Sequence, residues 1–380
     1  MAQKRAIFEE VGTAERAAPT AGVISAGRSG ARKAIRAWLM VLFALVVVMI
    51  AVGGLTRLTD SGLSITEWRP VTGALPPLSH DAWLEEFEKY RQIPQYQLVN
   101  QGMSLAEFQF IYWWEWGHRQ LGRVIGLVWA AGFLGFWATG RLPSGWAGRL
   151  WLLGGLGAAQ GAIGWWMVAS GLTGDMVSVA SYRLATHLGL AFVILGFIAW
   201  YVYLLSRSEP QLLQARRARE GRLFSMSTGL MHFAFLQILL GALVAGIDAG
   251  RSYTDWPLMH GAFFPPESFD LRPLWTNFFE NPALVQFMHR MAGYLLFVFA
   301  VVVWLRARRS PHGETRMAMH LTFGLFVLQV VLGILTVVEG APWQLAILHQ
   351  FTAVLLWIMI LRVRFLAQYP IVTTLRGART

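Results

Sequence analysis

Long apolar runs alternate with short polar segments along the whole chain. Eight of these runs are long enough to form helices that cross a hydrocarbon core, which takes about 20 helical residues. None shows the short alternating pattern of a transmembrane strand. The pattern predicts an all-α integral membrane protein with eight transmembrane helices and the lipid bilayer as its surroundings. The predicted spans are residues 37–55, 112–137, 149–169, 184–205, 223–247, 284–305, 320–338 and 344–361.

The chain also repeats itself. Residues 53–68 align with residues 241–256, and the segment HRQLG at 118–122 aligns with HRMAG at 289–293. The remaining matches, which follow in the same order, are Gln160 with Gln329, Gly164 with Gly333, and His187 with His349. An ordered series of matches predicts two similar four-helix bundles. Because each half has an even number of spans, we expect parallel repeats related by a pseudo-twofold axis along the membrane normal.

Basic residues are distributed unevenly around the spans. Of the 32 lysines and arginines, 22 flank the spans on one side and seven on the other. The positive-inside rule therefore places both termini in the cytoplasm. The run after residue 36 lacks a cleavage site, so no cleavable signal is expected. The predicted division is a cytoplasmic tail 1–36, a first half 37–205 with an external loop 56–111, a basic cytoplasmic linker 206–222, a second half 223–361 with an external loop 248–283, and a cytoplasmic tail 362–380.

Composition narrows the chemistry further. The chain is 55% hydrophobic and 14% charged, and it contains no cysteine. The lack of cysteine excludes disulfides, thiolate metal sites, iron–sulfur clusters and covalent c-type haem, so a bound metal must be held by nitrogen or oxygen. The net charge is +11, and the basic residues that produce it lie in segments beside the spans. It is explained by membrane topology, and no nucleic acid partner is expected.

Four histidines have the arrangement that haem ligation requires. His118, His187, His289 and His349 each lie within the first two turns of an inward-running span, so all four are expected at similar depth. A six-coordinate haem iron takes one imidazole on each face of the porphyrin. A single histidine near a helix end is more often an interfacial hydrogen-bonding residue, but a repeated pair on two helices favours haem iron. The other histidines, interpreted as solvated, capping or packing residues, are His80, His232, His260, His312 and His320.

Charged residues beside these histidines differ between the two halves. Glu115 lies three residues before His118 on the same helical face, whereas its counterpart is Gln286. A carboxyl group can exchange protons or stabilise a developing positive charge, and a carboxamide cannot. The alternative is an interfacial carboxylate paired with Arg119 or Arg123. The difference predicts one catalytic half and one electron-transferring or structural half.

An arginine directly follows a histidine in both halves. Arg119 follows His118 and Arg290 follows His289. A guanidinium near the outer interface can pair with the propionates of a haem, which prefer to face water. The alternative is an interfacial arginine that only extends its charge to water. Repetition beside histidine favours the propionate role.

These residues resemble the haem A synthase family. The resemblance extends from about residue 39 to residue 361, and it includes GGLTRLTDSGLSITEWRPVTGALPP after the first span, EWGHRQLGR on the second and HRMAGY on the sixth. The long first external loop resembles that of the proteobacterial and mitochondrial branch. A thiol relay, expected where another branch has a cysteine pair in this loop, is excluded here.

The resemblance implies an oxidoreductase. It would convert a methyl group of haem O to a formyl group through hydroxylated intermediates, which gives haem A for cytochrome oxidase. It also implies haem b as the cofactor of the second half. The implied roles are catalysis for Glu115, ligation of the substrate haem iron for His118 and His187, ligation of the haem b iron for His289 and His349, and cofactor binding for Arg119 and Arg290.

The same residues are compatible with a second function, and the family resemblance implies several partners. A bis-histidine transmembrane cytochrome b that only carries electrons needs the same four histidines, and this alternative stays open. A transporter would show broken spans at matching positions, which are not evident. The expected partners are haem O, a haem O synthase and an electron-transfer protein, and a homo-oligomer is left open. The expected location is a bacterial inner membrane, because the acidic residues within 1–36 suit a mitochondrial transit peptide poorly.

Overall fold

The computed structural model describes residues 23–371, which form α-helices joined by loops and short 3₁₀ turns, with no β-strand among them. Predictions for residues 1–22 and 372–380 lie outside this range. The helices are α1 (Val23–Leu58), α2 (His80–Arg91), α3 (Pro94–Leu98), α4 (Leu105–Ala138), α5 (Ala147–Val168), α6 (Ser181–Leu205), α7 (Glu209–Arg217), α8 (Gly221–Gly246), α9 (Asn277–Glu280), α10 (Pro282–Ala307), α11 (Gly313–Val338) and α12 (Trp343–Gln368).

The predicted all-α membrane fold is confirmed. Within residues 23–371, eight helices are long and apolar enough to cross a bilayer, and each covers nearly all of one predicted span or more. These are α1, α4, α5, α6, α8, α10, α11 and α12. The chain is therefore a multi-pass membrane protein.

Several of these helices extend well beyond their predicted ends, among them α4 and α12. α4 begins at Leu105 because Ser104 and Glu107 form a capping box, in which Glu107 accepts a 2.8 Å hydrogen bond from the Ser104 amide. α12 continues to Gln368 and includes Arg362 and Arg364, which belong to the predicted C-terminal tail. The guanidinium of Arg364 lies 4.8 Å from the ring centroid of Trp200. This cation–π contact gives the charge a partner inside the helical bundle.

The same helix contacts occur in both halves. In the first half α1 packs on α4, α4 on α5, α5 on α6, and α6 on α1. In the second half α8, α10, α11 and α12 form the corresponding ring. Between the halves α6 packs on α8 and α12, and α1 packs on α12. These contacts are those that the predicted internal repeat requires, and the pseudo-twofold axis itself stays a prediction.

The ends of α1 and α8 repeat in detail. α1 ends at Leu58 and α8 at Gly246, two positions that the repeat aligns. Two residues later Asp60 and Asp248 have φ values of 50° and 52°, a left-handed conformation that ends the helix. Arg57 joins the two ends, because it contacts Asp60 at 2.9 Å and Asp248 at 2.6 Å.

The first external loop is folded over the end of its half. It contains α2 and α3, which the hydropathy pattern did not predict. Tyr90 on α2 is fully buried, donates to Gln95 Oε1 at 3.0 Å and accepts from Asn100 at 2.7 Å. Burial raises the pKa of Tyr90 to about 12, so this hydroxyl stays neutral at physiological pH. A cluster of aromatic side chains that includes Tyr90 and Phe108 therefore covers the N-terminal end of α4.

Candidate functional site

The structure brings the four predicted histidines together as one pair in each half. His118 on α4 and His187 on α6 belong to the four-helix ring of the first half, and His289 on α10 and His349 on α12 belong to that of the second. All four side chains are partly buried within their bundles. Each pair therefore draws one imidazole from each of two helices.

Each imidazole lies against a glycine of a neighbouring helix. The absence of a side chain at these glycines lets the ring approach the backbone closely. A β-carbon built on the glycine would lie 3.1 Å (Gly53 to His118), 2.8 Å (Gly164 to His187), 3.0 Å (Gly241 to His289) and 3.1 Å (Gly333 to His349) from the nearest ring atom. The same close approach therefore occurs at all four histidines, and each ring packs against the backbone of a neighbouring helix.

The donor set of each half fits haem iron. Within residues 23–371, no three histidine, aspartate or glutamate side chains cluster in a way that would hold a bare metal ion. A haem iron needs only two axial ligands from the protein, because the porphyrin supplies the other four nitrogens. A histidine pair in an apolar helical bundle therefore suits haem better than an isolated cation.

Adding one methyl group beside a histidine tests this arrangement. In Gly164→Ala the new β-carbon would lie 2.8 Å from the His187 ring, which must then move. We expect roughly a 10-fold loss of haem affinity in the first half, as is typical when the support of a ligand is disturbed. The measurement is haem bound per chain after purification. Gly161→Ala is the matched control, because its β-carbon on the same helix meets no atom within 4 Å. Equal haem contents would contradict this account.

Glu115 is buried and fully hydrogen-bonded. Its side chain is 3% exposed and forms an ion pair with Arg119, with Oε1 accepting from Nη2 at 2.6 Å and from Nε at 3.1 Å. Its Oε2 accepts from the Ser64 hydroxyl at 2.7 Å and from the Ile65 amide at 2.8 Å. Of the two arginines suggested by the sequence, Arg119 and not Arg123 is its partner.

The arginines that follow the histidines hold the external loops. Arg119 donates to the main-chain oxygens of Ile65 at 2.8 Å and Glu67 at 3.1 Å. Arg290 donates to the equivalent oxygens of Tyr253 at 2.8 Å and Asp255 at 3.0 Å. The loops are thus anchored in the same way in both halves. Of the five N–H groups of a guanidinium, Arg119 uses four in these contacts and with Glu115, and one remains.

The counterpart of Glu115 supports its loop by a different bond. Gln286 is 2% exposed and donates from Nε2 to the Tyr253 main-chain oxygen at 3.1 Å. The neighbouring Arg290 is satisfied by carbonyl oxygens, with a further bond to Leu258 at 3.0 Å. The second half therefore holds its loop without a carboxylate at this position. The Glu115 carboxylate is the feature that distinguishes the first half.

Sequence reasoning missed two features of these sites. Ser64 is buried against Glu115, but it lies 51 positions earlier and nothing in the local pattern marks it. Gln237 on α8 donates to the main-chain oxygen of His289 at 2.9 Å. The repeat comparison could not reveal Gln237, because its aligned residue in the first half is Met49. One signal in the sequence does mark Gln237: it precedes Gly241 by four residues, just as Gln160 precedes Gly164.

Three of the remaining histidines have contacts typical of packing or loop residues. The His232 ring is bonded to the Thr228 main-chain oxygen at 2.9 Å, and His320 accepts from Trp304 at 3.0 Å. The His260 ring lies 4.5 Å from that of Tyr253 in the second external loop.

Comparison with known proteins identifies the family. The COX15-CtaA family, described as "Cytochrome oxidase assembly protein", matches residues 36–361. A relative named Heme A synthase from Ruegeria sp. (strain TM1040) is 68% identical over 98% of this chain and 99% of its own length. The protein of the same name from Roseobacter denitrificans is 65% identical over 99% of this chain and 100% of its own length, and that from Paracoccus denitrificans is 64% identical over 98% and 99%. Because these similarities cover nearly the whole chain, the chain belongs to the haem A synthase family.

Proposed function

We propose that this protein is an oxidoreductase that converts haem O to haem A. It oxidises one methyl group of the haem O macrocycle to a formyl group through hydroxylated intermediates, and the product serves cytochrome oxidase. Relatives of 64–68% identity bear the name Heme A synthase. The observation that carries the proposal is the buried Glu115 carboxylate beside His118, where the other half has Gln286.

In the proposed division of labour the first half binds the substrate. His118 and His187 ligate the iron of haem O, and each ring packs against a glycine of the neighbouring helix. Glu115 then lies one helical turn from a ligand of the substrate iron. Four hydrogen-bond donors occupy the acceptor positions of its carboxylate. This arrangement favours one role for Glu115, a fixed negative charge that stabilises positive charge on the substrate. It is less suited to the other role, that of a mobile proton carrier.

The second half is proposed to hold a resident haem b. His289 and His349 would hold its iron, and the haem would supply one-electron transfer when bound. Arg290 keeps two N–H groups beyond its bonds to loop oxygens, and Arg119 keeps one, so both can donate to haem propionates. A cavity of about 420 Å³ beside Arg119 is also lined by Arg69 and Arg123 and by three glutamates, so its formal charges balance.

The cellular setting follows from the same proposal. The protein lies in a bacterial inner membrane with both termini in the cytoplasm, where the basic linker 206–222 also lies. Its two haem-binding halves are residues 37–205 and 223–361. A haem O synthase that supplies the apolar substrate and an electron-transfer protein are the proposed partners. The farnesyl tail of haem O suits transfer within the bilayer, because burial in lipid removes its apolar surface from water.

The proposal is tested by identifying the haems that the chain carries. The full-length protein is expressed in a host that supplies haem O and purified in detergent, and its non-covalent haems are extracted and identified by chromatography and mass. The proposal expects haem A or its hydroxylated precursor together with haem b. Haem b alone, with no oxidised product, would overturn the proposal and favour the bis-histidine electron carrier.

A further inference from the structure

The supports of the four proposed haem ligands are not equivalent. Three of the histidines receive a hydrogen bond on the main-chain oxygen from a glutamine that lies four residues before the glycine packed on the ring. The donor–acceptor distances are 3.0 Å for Gln160 to His187, 2.9 Å for Gln237 to His289, and 3.1 Å for Gln329 to His349. The spacing Gln-x-x-x-Gly places the glutamine side chain and the glycine on one face of the supporting helix.

The same glutamine amides also lie over the imidazole rings. Nε2 of Gln160 is 3.2 Å from Nδ1 and 3.4 Å from Nε2 of His187, and the distances from Gln237 to His289 are 3.1 Å and 3.4 Å. An atom in the ring plane cannot be this close to both nitrogens without overlapping the carbon between them. The amide therefore packs on the ring face and leaves the in-plane lone pair of the imidazole free for iron.

The side-chain oxygen of each of these glutamines has an unusual environment. Oε1 of Gln160, Gln237 and Gln329 is buried without a hydrogen-bond partner within residues 23–371. A buried carbonyl oxygen without a partner opposes folding. Because all three glutamines share this uncompensated arrangement, we infer that the amide is present for what its Nε2 does, which is to restrain the histidine.

His118 differs from the other three, because Met49 takes the place of the glutamine. Met49 precedes Gly53 by four residues, as Gln237 precedes Gly241. The two side chains also occupy equivalent positions. Met49 Cε would lie 3.5 Å from a β-carbon on Gly122, and Gln237 Nε2 would lie 3.2 Å from one on the matching Gly293. A thioether has no N–H group, so it cannot donate to the histidine or fix its ring in the same way.

We propose that Gln160, Gln237 and Gln329 are positioning residues for the haem ligands, and that Met49 makes His118 the exchangeable ligand through which substrate haem enters and product leaves. This inference rests on haem ligation by the four histidines, as proposed above. An imidazole that is already restrained loses little further freedom when it binds iron, whereas His118 loses its rotamer freedom at that step. The resident haem is thus held by two restrained ligands and the substrate haem by one.

Haem transfer from the full-length protein to an acceptor tests the proposal. The purified protein is loaded with haem b, and apomyoglobin in excess captures the haem that dissociates. The proposal expects a fast phase from the first half and a slow phase from the second. We expect Met49→Gln to slow the fast phase and Gln237→Met to speed the slow phase, each by about 10-fold, the lower range for loss of a ligand's support. Each change also alters the low-spin electron paramagnetic resonance signal of one haem.

Matched variants separate positioning from packing. Met49→Leu changes the packing but provides no amide, so it is expected to leave the fast phase unchanged. If Met49→Leu slows transfer as much as Met49→Gln, or if neither glutamine change affects its phase, the inference is overturned. If the protein forms haem A but the glutamine changes leave the transfer rates unchanged, this inference is overturned and the proposed function stands. A chain that binds no haem in either half overturns both this inference and the proposed function.

Discussion

Replacing Glu115 with glutamine is expected to lower the rate of haem A formation at least about 100-fold, the usual loss when a charge that stabilises a transition state is removed. The loss follows from the chemistry of the group, because glutamine keeps the shape of glutamate but carries no negative charge. Haem A and its hydroxylated precursor are quantified by mass after a fixed time. Haem b content should be unchanged, because its proposed ligands lie in the other half.

The second half provides the control for folding of this variant. Gln286 and Arg290 hold the second external loop with no carboxylate at this position. Glu115→Gln recreates that arrangement in the first half, so we expect the loop to stay folded. A variant that folds, binds both haems and forms haem A at the wild-type rate would show that Glu115 only supports the loop.

Removing Arg119 is expected to have the largest effect on stability. Arg119→Ala leaves the Glu115 carboxylate, 3% exposed, without its cation, and it frees the Ile65 and Glu67 main-chain oxygens. Loss of one partner from a buried ion pair costs about 3–5 kcal/mol. Thermal unfolding in detergent and the rate of proteolysis within residues 56–111 both report this change.

Two further variants isolate the contribution of the ion pair. Arg123 lies one turn later on α4 and donates to the Pro70 and Arg69 main-chain oxygens at 2.9 and 3.0 Å, but it contacts no carboxylate. Arg123→Ala should therefore destabilise the loop less than Arg119→Ala. The double variant Glu115→Gln/Arg119→Ala should recover part of the lost stability, because the unpaired charge is then absent. If Arg119→Ala and Arg123→Ala unfold at the same temperature, the Glu115–Arg119 pair does not have the importance assigned to it here.

The membrane architecture could be predicted from the sequence because its signal is physical and long-range. Eight apolar runs of the right length can be satisfied only as helices in lipid, and all eight are found in the structure. The internal repeat identified the histidine pairs, because equivalent residues recur on equivalent helices. The contacts of α1 and α8 at their ends follow the same repeat.

Other features could not be predicted, because they depend on tertiary contacts or break the repeat. α2 and α3 lie in a polar loop, where hydropathy carries no signal for membrane spans. Ser64 reaches Glu115 only once the first external loop has folded over α4. Gln237 was hidden because its counterpart is Met49, although that same difference distinguishes the two halves. The bonds of Arg119 to the loop also require the folded loop, whereas the sequence alone predicts only that Arg119 pairs with a haem propionate or with Glu115.

The central claim is that the two histidine pairs bind different haems. The most direct measurement is identification of the haems extracted from His187→Ala and His349→Ala, purified side by side from a host that supplies haem O. The account predicts that His187→Ala keeps haem b but carries no haem O or haem A. His349→Ala should lose haem b and leave haem O unconverted. Loss of the same haem in the same proportion from both variants would contradict the account.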